Sequence, residues 1–288
     1  MIIPRAVSGG YARYGTRFRI LFASFSLLLP VISARAQFRS EEIGQRPALE
    51  EYLKKARIVG SLRITGPEAV TSPWKLTLSD GNGTRFGLWK NPAGRLRGYL
   101  ESWKTEIAAY RLDKALGLDM IPPTIERRFD GAAGSLQLWA ESEMSLKTLI
   151  QGGIKRPAST DRDWNRAFDL QRAFDNLIAN EDRHTSNVLI TKDWRIVLID
   201  HSRSFRTARK FTIGLLYSER SPGGDQSPEE LPRAFIEKIK ALTPDSIAAA
   251  VGDYLTGDQI RAVLKRRDLM LADIDRLIRK KGEDRVLY

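Results

Sequence analysis

Asp182, Asn187 and Asp200 place a carboxylate, an amide and a second carboxylate close together in the chain, with Arg183 and His184 beside the first. Two short apolar runs, Val188 to Ile190 and Ile196 to Ile199, lie between Asn187 and Asp200, joined by the polar turn Thr191 to Arg195. Symmetric pairing of these runs puts the midpoint between Asp193 and Trp194. It predicts Asn187 and Asp200 as cross-strand neighbours at the open end of a hairpin. Asp182 sits in the loop just before. Oxygen donors converging in this way suit Mg²⁺, which keeps several waters and takes one or two carboxylates together with substrate phosphates. A polar loop capping a structural hairpin would draw on the same residue types. That alternative accounts for any one of the three more easily than for all of them together.

A second pair stands far upstream. Trp103, Ile107 and Tyr110 form an apolar stripe at helical spacing, and Glu106 falls inside it. A carboxylate on a buried face needs a partner, since unpaired burial costs several kcal/mol. Lys90, at the end of the strand-like run Phe86 to Trp89, is the candidate. A lysine held by a glutamate can grip phosphate as a point charge. The bland alternative leaves Glu106 at the stripe edge and Lys90 in solvent.

These side chains need a frame, and the chain supplies one of α+β class. Residues 37–57 read as an N-terminal arm of helical character, with Leu49, Leu53 and Ala56 at helical spacing. Lys75 to Leu78 and Arg85 to Trp89 flank Ser79-Asp80-Gly81-Asn82-Gly83, a strong hairpin signal. A helix over about Leu100 to Leu116, stopped by Gly117, and a β-like stretch Gly134 to Ala140 complete a β-rich first part, residues 58–141. Residues 142–288 read as mostly helical with one hairpin: a helix carrying Trp164, Phe168, Phe174 and Leu177, then helices over Leu231 to Leu242, Asp245 to Tyr254 and Asp258 to Lys280.

The order strand Lys, helix Glu, loop Asp with a downstream Asn, then strand-end Asp resembles that of the protein-kinase-like superfamily. Asp182-Arg183-His184-Thr185-Ser186-Asn187 is similar to the Asp-Arg-His-x-x-Asn loop of atypical kinases. These are the phosphatidylinositol 3-/4-kinase group, the HipA-type bacterial kinases and the four-jointed-related secretory kinases. The resemblance implies a bilobal protein-kinase-like fold: a β-rich N-lobe with one key helix and a mostly helical C-lobe. It implies ATP and Mg²⁺ as cofactors, with Asp182 as the catalytic carboxylate and His184 in the catalytic loop. Asn187 and Asp200 would hold metal, and Lys90, positioned by Glu106, would hold phosphate. Trp139, Ala140 and Glu141 would lie where a hinge faces adenine. No Gly-x-Gly-x-x-Gly precedes Lys90; Gly60-Ser61 or Gly66-Pro67 stand in as candidates to cover the phosphates. Ser202 replaces the glycine of the usual strand-end triplet. Arg203, Arg206, Arg209 and Lys210 form a cationic strip that would suit an anionic acceptor hydroxyl compound. Two rival functions keep the same residues: AMP transfer, and a silent nucleotide-binding module.

Composition narrows the field further. A chain of 288 residues with no Cys excludes a disulfide scaffold, a thiolate zinc site and a Cys nucleophile, and two His exclude most histidine metal sites. Residues 1–36 carry five arginines and no acid, followed from Ile20 by an apolar stretch that closes on Ala34-Arg35-Ala36. That pattern predicts a cleaved signal peptide, a mature start at Gln37 and an exported protein with no membrane span; an uncleaved anchor is the rival. Without those arginines the net charge falls from +12 to +7. This modest excess favours anionic small partners and gives no reason to expect a specific nucleic acid.

Overall fold

A computed structural model describes residues 38–66, 70–221 and 224–288. The segment expected to be a signal peptide lies outside them. The first described helix, α1 (Ser40–Lys55), leads into β1 (Arg57–Arg63), β2 (Trp74–Ser79) and β3 (Thr84–Lys90). A two-stranded hairpin follows, β4 (Ala93–Leu96) and β5 (Tyr99–Ser102), and then α2 (Trp103–Leu116), β6 (Thr124–Phe129) and β7 (Ala132–Leu138). The remainder is β8 (Met144–Ser145), α3 (Leu146–Gln151), α4 (Asp161–Ile178), β9 (Val188–Ile190), β10 (Ile196–Leu198), α5 (Arg233–Lys240), α6 (Pro244–Val251) and α7 (Gly257–Lys281).

Five strands make one antiparallel sheet in the order β1-β2-β3-β7-β6. Leu76, Leu78, Trp89 and Leu136 point to its buried face, where Leu53 of α1 and Ala56, its C-cap, complete a small core. The expected arm is therefore docked: Arg127 of β6 donates to the carbonyls of Leu53 and Ala56 at 2.8 Å each. A second, larger core joins α2, α4, α5, α6 and α7, with Leu112, Phe174, Leu177, Ile239 and Val263 fully buried. Both cores belong to an α+β architecture, and α2, expected in the β-rich part, packs into the larger, helical one.

Local chemistry sets the boundaries that matter for the site. Helix α2 begins three residues later than the apolar spacing predicts, because Ser102 is its N-cap. The Ser102 hydroxyl accepts from the Lys104 amide at 3.2 Å, and Leu100 belongs to β5. Gly117 ends α2 with a left-handed φ of 66°. Helix α4 stops at Ala179, also left-handed, which frees Asn180 onward to form an irregular loop. β9 and β10 pair as expected, but β8 adds a third strand to their sheet. The register differs from the predicted one by one residue. Ile196 faces Ile190 and Leu198 faces Val188, so the centre of symmetry falls on Asp193 and Asn187 lies opposite Ile199. The turn Thr191 to Arg195 is the expected one, closed by the Thr191 amide on the Arg195 carbonyl with Trp194 at a φ of 64°, but β10 is three residues long and leaves Ile199 outside it.

Candidate active site

Lys90 ends β3 beside Gly134 of β7, where a side chain would overlap the Lys90 carbonyl and meet the Trp89 ring at 2.8 Å. That close strand approach carries the lysine inward. Its Nζ lies 2.9 Å from Glu106 Oε1 and 2.9 Å from Asp200 Oδ1. Glu106 is nearly inaccessible on α2, and its other oxygen accepts the His201 amide at 2.9 Å. One carboxylate thus ties β3, α2 and the chain after β10 together. Asp200 itself turns the chain at a φ of 60°, a conformation Asp tolerates, and Ser202 donates to its Oδ1 at 3.0 Å. The residue at the glycine position of the usual triplet therefore steadies the carboxylate.

The charges follow from this packing. Burial alone would lower the Lys90 ammonium, but Asp200 and Glu106 outweigh it and hold it above the ordinary lysine range. Burial opposes ionisation of Asp200 as well, yet Lys90 and the Ser202 hydroxyl hold its carboxyl below the usual range. Glu106 is raised by burial against the pull of Lys90, with the Asp200 charge adding to the rise. The triad is one cation shared by two acids.

Arg183 organises the loop, and sequence reasoning assigned it no role. Its Nε and Nη2 grip both oxygens of fully buried Asp175 at 2.9 and 3.2 Å. Its Nη1 donates to the carbonyls of Asn187 and Ile199 at 2.9 and 2.7 Å, and Nη2 lies 2.8 Å from His201 Nε2. All five guanidinium donors are used. Since arginine can only donate, His201 Nε2 is the acceptor. Burial, with the nearby Arg183 charge, keeps that imidazole neutral. The signal for Asp175 was available: it is a carboxylate between Phe174 and Leu177 on an apolar helix face, the same pattern that singled out Glu106.

Asp182 follows, half-buried, its Oδ1 3.0 Å from Arg203 Nη1. Burial raises its carboxyl against the attraction of Arg203. Asn187 is buried, and its Nδ2 donates to the Asp182 carbonyl at 3.2 Å and lies 3.1 Å from His184 Nε2. Those contacts orient the amide. They leave its oxygen as the uncommitted end, and they give exposed His184 a role in holding Asn187. Among the described residues, no cluster of three or more His, Asp and Glu side chains forms a ready-made metal cage. One carboxylate and one amide oxygen fit instead a hard cation that brings its own waters and phosphates.

A cleft of about 570 Å³ opens beside the triad, within the usual size range for small-molecule sites. Lys90 and Asp200 are among its lining residues, with Leu88, Leu138, Ala140 and Leu189 as apolar ones. Trp139 and Ala140 of the expected hinge reach it. The Trp139 amide, however, is spent on the Phe86 carbonyl at 2.9 Å. Glu141 does not line this cleft; it lines a neighbouring depression against α1. Gly60 and Ser61 pair with β2 as strand residues, whereas Thr65, Gly66 and Thr71 of the β1–β2 connection border the cleft.

Over 96% of both chains, the protein is similar to a solved structure described as the crystal structure of the Golgi casein kinase. The TM-score is 0.58 and the sequence identity 14%. The fold is protein-kinase-like and bilobal. No protein-family model and no curated protein sequence matches the chain.

Ion pairs divide the expected cationic strip. Arg203 turns inward to Glu101 at 2.6 Å as well as to Asp182, and buried Arg206 pairs with Glu181 at 2.5 Å. Lys210 is drawn toward the same glutamate at 3.8 Å, and Arg209 is exposed. Nearby acids consume much of the positive charge that the sequence displays. Among the described residues, no helix is long and apolar enough to cross a membrane.

Proposed function

We propose that this chain is an exported, ATP-dependent phosphotransferase that moves the γ-phosphoryl group to a hydroxyl acceptor. The observation that carries the reading is Lys90 Nζ at 2.9 Å from both Glu106 and Asp200, with Lys90 and Asp200 lining a cleft that also has apolar walls. The apolar walls suit a flat base and the Lys90–Asp200 pair suits phosphates. Lys90 binds phosphate oxygens while Glu106 fixes its position. Asp200 and the Asn187 amide oxygen would hold Mg²⁺, which would screen charge on the transferring group when bound. Asp182 orients the acceptor hydroxyl and takes its proton; the freed oxygen bonds to the γ-phosphorus and ADP leaves. Ala140 borders the base, while Glu141 is too far round to take part.

The roles of the two acids separate this reading from its rivals. Asp200→Asn loses Mg²⁺-dependent ATP binding and transfer together. Asp182→Asn keeps ATP affinity and loses transfer by about 10² to 10⁴. The assay pairs Mg²⁺-ATP affinity with γ-phosphate label transfer, to the protein itself or to host extract. Label arriving only from the α-phosphate would replace the reading with AMP transfer. Binding without transfer, unchanged in Asp182→Asn, would leave a silent nucleotide-binding module. Export is tested by N-terminal sequencing of native protein, where a start at Gln37 is expected and an intact Met1 would refute it.

A further inference from the structure

Asp182 lies on an irregular loop between α4 and β9, where backbone hydrogen bonding alone does not fix a carboxylate. A neighbouring element supplies what the loop lacks. Arg203 reaches Asp182 Oδ1 through Nη1 at 3.0 Å, and its Nε donates to Glu101 Oε1 at 2.6 Å. Its guanidinium also lies over the Tyr99 ring, 4.2 Å from the centroid. Both Glu101 and Tyr99 belong to β5. Only 2% of the Glu101 side chain and 11% of Arg203 are exposed, so the fork is held on a built platform. The base of the hairpin is fastened to the same segment: the Ser102 amide donates to the Ser202 carbonyl at 3.0 Å, and Thr105 Oγ1 donates to the His201 carbonyl at 2.9 Å.

We infer that Arg203 is a positioning residue for Asp182, and that the β4–β5 hairpin, through Glu101 and Tyr99, sets the position of Arg203. This rests on the phosphotransfer reading. Arginine suits the task because its planar fork serves two carboxylates at fixed angles while its flat face stacks on an aromatic ring. A lysine keeps the charge but has neither the planar fork nor the flat face that stacks on Tyr99. Displacing a reacting group by about 1 Å typically costs about 10²-fold in rate, which sets the scale expected here.

The experiment compares the full chain with Arg203→Ala, Arg203→Lys and Glu101→Gln. It measures label transfer from γ-labelled ATP at saturating Mg²⁺-ATP, Mg²⁺-ATP affinity and thermal unfolding. Arg203→Ala is expected to lose about 10²-fold in transfer rate with nucleotide affinity unchanged. Arg203→Lys recovers part of the loss. Glu101→Gln, which keeps the hydrogen-bond acceptor without its charge, falls between them and remains informative if Arg203→Ala does not fold. A wild-type rate in Arg203→Ala would overturn the inference. So would a loss of rate matched by an equal loss of nucleotide affinity, since that marks damage to the whole cleft. Failure of the phosphotransfer reading shows separately, as a wild type that binds Mg²⁺-ATP and transfers nothing, and it removes the positioning role with it.

Discussion

Removing the Lys90 ammonium while keeping its bulk, as in Lys90→Met, should unbalance the buried triad in a measurable way. Glu106 loses its partner at 2.9 Å, with a side chain only 4% exposed, and keeps the His201 amide as a hydrogen-bond donor. Breaking a buried pair from one side typically costs about 3–5 kcal/mol. Two features place this case at the low end. Asp200 is 30% exposed and can draw on water, and Glu106, already raised by burial, can take up a proton instead of staying charged. A loss of about 3 kcal/mol at pH 7 follows, roughly a hundredfold in the folding equilibrium. Its pH dependence has a definite sign. In the variant the folded-state pKa of Glu106 lies well above its unfolded value, so the folded state holds the proton more tightly. Stability is then highest at low pH and falls as pH rises through that raised pKa. Urea unfolding of wild type, Lys90→Met, Glu106→Gln and the double variant at pH 5.5 and pH 8 closes the cycle. The double variant should lose about 2 kcal/mol less than the sum of the singles, and Lys90→Met should be relatively worse at pH 8. Additive losses, equal at both pH values, would refute the claim that Glu106 is tolerated in the core because Lys90 is there.

Two further outcomes test the frame. Asp113 on α2 is fully buried, accepts the Met120 amide at 3.0 Å, and is pushed up to about 7 by burial against the pull of Arg46, 3.8 Å away. Its folded pKa exceeds the unfolded one, so wild-type stability should fall by about 1.4 kcal/mol from pH 6 to pH 8, and urea unfolding of Asp113→Asn should not show that fall. Gly134→Ala should destabilise by about 1–3 kcal/mol, because its Cβ meets the Lys90 carbonyl and the Trp89 ring. Gly83→Ala, whose Cβ meets nothing within 4 Å, is the matched control for the same unfolding measurement.

The parts of the fold legible in the sequence were those written in local code. The β2–β3 hairpin announced itself through turn residues between alternating strands, and α4 through its apolar face. The same patterning argument that placed Glu106 inside a stripe could also have flagged Asp175. Elements whose residues answer to distant partners were not legible. β6 reads as Thr124-Ile-Glu-Arg-Arg-Phe, with a charged residue, Arg127, where an alternating strand would be apolar. Arg127 is there because it donates to the last carbonyls of α1, which no window of neighbouring residues reveals. The β4–β5 hairpin was hidden for a related reason. Leu100 fits the helical spacing of Trp103 and Ile107, and only the Ser102 cap separates strand from helix.

The same distinction explains the site. Lys90, Glu106, Asp182, Asn187 and Asp200 could be singled out because each type carries chemistry and each sits where an apolar pattern breaks. Their mutual placement needed information that spacing does not hold. The strand after the turn ends at Leu198 and pairs Ile196 with Ile190, which leaves Asn187 opposite Ile199, so Asn187 and Asp200 are not the cross-strand pair that symmetry predicted. Asp200 reaches the cleft by a left-handed turn after β10 and is fixed there by Lys90 and Ser202. The charges after Asp200 make the point most strongly. As sequence, Arg203 and Arg206 are two members of a cationic strip. In the fold each is paired with an acid, and Arg203 links the β4–β5 hairpin to Asp182. A count of charges in a loop therefore says little about the field an acceptor would meet. The acids those charges face decide it, and Glu101 comes from a hairpin a hundred residues upstream.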